Sequence, residues 1–113
     1  GCYDHKHSRL SLMARYVFDT GDLPTVTASF TDVDGAAADP TAVKVTTLSP
    51  NGTSVEYTDA DSEVTNPSTG TWKFLFPTAL TEEGTWRVRF EGTETLIAAA
   101  EQKFSVRETV FND

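Results

Sequence analysis

Cys2, Asp4, His5 and His7 could together hold a soft metal, because a His-x-His pair on an extended chain can point two imidazoles at one ion. Their spacing is not that of a structural zinc module, and a tail would have to be ordered by the metal itself. An ordinary polar segment is the expectation. Asp32-Val33-Asp34-Gly35, with Asp39 close behind, has the opening spacing of a calcium loop. Such a loop also needs further oxygen ligands at fixed positions and a closing bidentate glutamate, which are missing. Asp-Gly at the end of a strand is ordinary turn chemistry. Asp59, Asp61 and Glu63 form another acidic cluster and read as carboxylates facing water. No metal and no cofactor is expected.

Catalytic machinery is equally hard to assemble. Both histidines lie in the first seven residues, away from any segment able to form a pocket. That leaves no histidine for a nucleophile–base pair, and there is no glycine-rich phosphate cradle. The chain is expected not to be an enzyme. Gly1-Cys2 is not expected to mark lipid attachment, since a mature lipoprotein begins at its cysteine. Asn51-Gly52-Thr53 fits a glycosylation pattern but stands where a hairpin needs Asn-Gly.

The elements that must carry any site are strands. Trp86, Val88 and Phe90 alternate with Thr85, Arg87 and Arg89, and Trp72, Phe74 and Phe76 alternate with Thr71, Lys73 and Leu75. That period of two marks strands with one buried face. Val26, Ala28 and Phe30 repeat it, as do Val43 with Val45 over about 41–48, and Phe104 with Val106. Ser49-Pro50-Asn51-Gly52-Thr53 predicts a hairpin returning through Val55 and Tyr57. Short strands are expected at 15–18 and near 63–65 as well, and no stretch has a helical period. Seven or eight strands with turns every ten or so residues predict an all-β, two-sheet sandwich.

With 113 residues the chain suits one domain, large enough to fold without metal or disulfide. Residues 1–14 show no alternation and are expected to be an extended arm, with the domain at 15–113; Met13-Ala14-Arg15 also reads as a translation start. The formal charge of −8 divides into +2 over residues 1–15 and −10 over the rest. An acidic body excludes nucleic acid as the expected partner, and no apolar run approaches membrane-spanning length. A basic arm suits contact with an acidic neighbour. Tyr3, Lys6, Arg9, Leu10 and Leu12 are its candidate partner-binding residues.

Glu82-x-Gly84-x-Trp86-x-Val88 resembles the Asp-x-Gly-x-Tyr-x-Cys corner of immunoglobulin-like domains. Trp86 takes the aromatic place and offers an indole N–H where the family has a hydroxyl; Val88 takes the cysteine place. The resemblance implies structural roles for Gly84, Trp86 and Val88 at the corner, beside Trp72, Phe74 and Phe90 in the core. Val17 to Asp22, Ala28 to Asp32, Asp39 to Val43, Ser49 to Thr53, Ser68 to Trp72, Glu83 to Thr93 and Phe104 to Arg107 make a wider pattern. Together they resemble the small Ig-like proteins among the virion structural genes of tailed bacteriophages. That resemblance implies a disulfide-free, non-enzymatic part of a virion, present in many copies. It would dock through the arm and one sheet face on capsid, portal, neck or tail subunits, as a head-tail connector or capsid decoration protein. An adhesion or glycan-binding module is the alternative expectation, with Tyr3 and Tyr57 as its free aromatics; a piece of a larger bacterial surface protein is a third.

Overall fold

The computed structural model describes residues 9–13, 17–93 and 98–107. Nine strands run β1 (Arg9–Met13), β2 (Val17–Asp19), β3 (Thr25–Thr31), β4 (Ala42–Leu48), β5 (Ser54–Thr58), β6 (Val64–Ser68), β7 (Thr71–Leu75), β8 (Gly84–Thr93) and β9 (Ala98–Arg107). They form a four-stranded sheet, β1-β3-β7-β6, and a five-stranded sheet, β2-β9-β8-β4-β5. Every pairing is antiparallel except β2 with β9. This is the immunoglobulin-like arrangement, its leading segment divided between the two sheets.

The sandwich closes because each long strand offers one apolar row. Val26, Ala28 and Phe30 of β3 and Phe74 of β7 face Val43 and Val45 of β4, Val88 and Phe90 of β8, and Phe104 and Val106 of β9; all are buried. Rings link the two layers. Tyr57 packs on Phe74 at 4.8 Å and Phe74 on Phe76 at 5.0 Å. Phe76 meets Phe104 edge-on at 5.9 Å, and Phe104 meets Phe18 of β2 at 5.0 Å.

Two expectations need correction. Arg9–Met13 is not arm but the edge strand of the four-stranded sheet, with Leu10 opposite Phe30 and Leu12 opposite Ala28. Two apolar residues suffice here, because they extend a core row that β3 already presents. Leu10 and Leu12 are partly buried and pack against the domain's own core. The domain therefore begins at or before residue 9. Tyr57, expected free, is half-buried against Phe74.

The corner before β8 is closed by a bond the sequence left open. The Trp86 indole N–H donates to the Glu82 carbonyl at 2.9 Å, doing what a tyrosine hydroxyl does in the related corner. Its ring lies half-buried over Phe76 and Phe104. Trp86→Phe keeps a ring but removes the donor, and should cost about 1 kcal/mol in a urea melt; an unchanged midpoint would assign the corner to packing alone.

Candidate functional site

The strand pattern that buries Val43, Val45, Val88, Phe90, Phe104 and Val106 turns the intervening residues of the five-stranded sheet outward. Lys44 thus lies opposite Glu91, Thr46 between Glu56 and Arg89, Leu48 opposite Arg87, and Arg89 opposite Glu101. Lys103 and Arg107 continue the face along β9. Five of the six lysines and arginines with described side chains stand on it; the sixth, Lys73, is on the other sheet. Asp19, Glu56, Glu91 and Glu101 share the face, whereas the nine remaining described carboxylates sit in loops. The face is therefore nearly neutral, and most of the described negative charge lies off it, in the loops.

Four of its five cations form ion pairs. Lys44 Nζ bridges Glu56 and Glu91 at 3.7 Å each, and Arg89 reaches Glu91 at 3.4 Å. Arg87 bonds Glu101 at 2.9 Å, and Arg107 Nε bonds Asp19 at 3.3 Å. Exposed pairs contribute about 0–1 kcal/mol each to folding. Between them Thr46, Leu48 and Ser54 help to line a depression of about 320 Å³. A second depression, about 350 Å³, lies at the seam where Leu12 of β1 meets Ala100 to Lys103 of β9.

The ionisation of Tyr57 is raised above its usual value by burial first, then by Glu63 and Asp61. The folded chain thus holds a phenol proton that the unfolded chain releases near pH 10. Its contribution is complete below about pH 10 and is lost as pH rises through the higher folded value. Tyr57→Phe should flatten that alkaline loss in denaturant melts taken on either side of about pH 10. An equal loss in both proteins would place its origin in another group.

Of the sequence candidates, Tyr3, Lys6, Cys2, Asp4, His5 and His7 lie outside the described residues, as does the side chain of Arg9. Asp32 does turn work: its Oδ1 accepts the N–H groups of Asp34 at 2.9 Å and Ala36 at 3.0 Å. Asp61 Oδ2 accepts the Thr58 N–H and Asp59 Oδ1 the Val43 N–H. Among the described residues, no three His, Cys, Asp or Glu side chains gather as a metal site, and no helix is long and apolar enough to cross a membrane. Asp39, read in sequence beside the Asp32–Gly35 turn and as part of the wider strand pattern, is a structural hub. Its Oδ1 accepts from the Gly70 N–H at 2.6 Å, the Trp72 indole at 3.2 Å and Asn66 Nδ2 at 3.3 Å. Trp72 is half-buried and committed there.

No protein-family model and no curated protein matches the chain. Among solved structures it is similar to part of chitinase ChiW from Paenibacillus sp. str. FPU-7, described as bacterial cell-surface-expressed multi-modular enzyme machinery, with TM-score 0.64 and 14% identity over 93% of this chain and 9% of that one. A DUF4785 family protein from Legionella pneumophila gives TM-score 0.68 and 16% identity over 88% of this chain and 28% of that one. The Lin-41 filamin domain gives TM-score 0.65 and 12% identity over 88% of this chain and 93% of that one. The chain spans less than a third of the first two. At such identities the likeness is one of fold.

Proposed function

We propose that this is a non-enzymatic assembly module, a structural protein of a tailed-phage virion that docks in repeated copies through the outer face of its five-stranded sheet. The observation carrying this reading is the charge layout: five of the six described cations meet four carboxylates on this face, while the other nine described carboxylates lie in loops. On a chain of formal charge −8, that face is where an acidic neighbour is least repelled. The virion context comes from the sequence pattern over residues 15–107, and symmetric multivalency would make a weak single contact sufficient. The segment before residue 9 remains part of the proposed attachment.

Size-exclusion with light scattering, on the protein alone and mixed with particles lacking it, tests the reading. Stoichiometric binding that weakens with salt is expected. Arg87→Gln with Arg89→Gln, which places no like charges opposite one another, should lower affinity by at least about tenfold while moving the thermal midpoint little. A protein that ignores particles but binds cells or glycans would instead be an adhesion module. Two aromatics such a site would use, Trp72 and Tyr57, are already engaged within the fold.

A further inference from the structure

We propose that two copies of the chain pair through the free edge of β5, making one continuous sheet across a two-fold axis at Val55. The parity of the β4–β5 hairpin decides which backbone groups face out. Ser49 N–H donates to the Thr53 carbonyl at 2.9 Å and Asp59 N–H to the Val43 carbonyl at 3.1 Å. With Thr47 opposite Val55 and Val45 opposite Tyr57, Val55 and Tyr57 bond to β4, and the N–H and C=O groups of Ser54, Glu56 and Thr58 point away. Thr58 is already closed: its N–H donates to Asp61 Oδ2 at 2.8 Å, and its carbonyl accepts the Asp61 N–H at 2.9 Å. Among the described residues, nothing bonds to the outward backbone groups of Ser54 and Glu56.

The other edges are less open. In β6, Pro67 has no N–H, and Asn66 Nδ2 occupies the Ser68 and Thr71 carbonyls at 2.8 and 2.7 Å. β2 is three residues long, and β1 packs against β9.

One antiparallel register uses both free residues of each copy. Ser54 faces the other copy's Glu56, and Glu56 faces the other copy's Ser54, giving four N–H···O bonds. Val55 then meets its own counterpart at the close, non-hydrogen-bonded position, with Cα atoms about 4.5 Å apart. Val55 lies on the inner side of β5 but is 42% exposed, because the four-stranded sheet does not cover it. A second valine covers it. Charge agrees with this register, since each Glu56 stands across from a serine and has its own Lys44 at 3.7 Å; like charges directly opposite are unfavourable. Self-pairing needs no partner beyond this chain, and it stands whether or not the outer face docks on a particle. The contact is well below the ~1,200 Å² of a stable interface, so association in the high-micromolar range is expected.

Sedimentation of the full chain from about 10 µM to about 1 mM tests this, beside Val55→Lys and Glu56→Pro, which both spare the hydrogen bonds to β4. The wild type should reach a dimer, and both variants should stay monomeric with near-native melting. If a variant fails to fold, cross-linking decides. Val55→Cys in a Cys2→Ser background should form a disulfide dimer under mild oxidation, and Thr58→Cys should not. A wild type still monomeric at about 1 mM overturns the proposal and leaves the edge to a foreign strand. A dimer that survives in both variants overturns it as well, by placing the interface elsewhere.

Discussion

Phe74→Ala is expected to cost about 3–5 kcal/mol, the range for truncating a fully buried phenylalanine. The ring has no measurable exposure and touches both Tyr57 of β5 and Phe76 beyond β7. Through it β5, at the edge of one sheet, packs on an inner strand of the other. Truncation therefore opens a cavity and also frees Tyr57, whose raised ionisation depends first on burial. Against a typical stability of about 5–15 kcal/mol, the variant should melt well over ~10 °C lower. Leu75→Ala is the internal control. Its side chain is 44% exposed on the opposite face of the same strand, and its change should stay within about 0.5 kcal/mol. Comparable losses at both positions would mean that β7 is not half-buried as described.

The alternating rows were legible because a half-covered strand writes its burial directly into sequence. Val26/Ala28/Phe30, Val43/Val45, Val88/Phe90 and Phe104/Val106 all occupy the core their spacing predicts. Leu10 and Leu12 carry the same spacing, but Met13 directly after them breaks the period, and only their pairing with Phe30 and Ala28 makes them a strand. The proposed docking face was half legible. Alternation says that Lys44, Arg87 and Arg89 point away from the core. It does not say that β4 and β8 are neighbours, so the pairing of Lys44 with Glu91 had to come from the fold. The Trp86 bond was left open by the sequence, because an indole N–H projects from its ring differently from a tyrosine hydroxyl and only the fold shows that it reaches the Glu82 carbonyl. Asp39 was missed because its three donors lie 27, 31 and 33 residues away.

That hub bears on the second large effect, Gly70→Ala, expected to cost about 2–5 kcal/mol. Part is backbone: φ is +79°, where a Cβ costs about 1–2 kcal/mol. The rest is space. An added methyl would stand 2.8 Å from the Phe30 carbonyl oxygen, 2.9 Å from Ala37 Cβ and 3.0 Å from the Ala38 nitrogen. Two of these neighbours are backbone that cannot swing aside, and overpacking of this kind costs about 1–3 kcal/mol. The turn has little room to retreat, because Gly70 N–H is held by Asp39 at 2.6 Å and its carbonyl accepts the Phe30 N–H at 2.7 Å. Gly52→Ala separates the two contributions. Gly52 has φ +92° with nothing within 4 Å of the added atom, so it should show the backbone part alone, about 1–2 kcal/mol. Denaturant midpoints of the two variants give the difference directly. A clear excess at Gly70 means that the β6–β7 turn is clamped on the loop after β3 and that Asp39 fixes that end of the sandwich. Equal losses would mean that the turn yields, and that Asp39 and its three donors move with it.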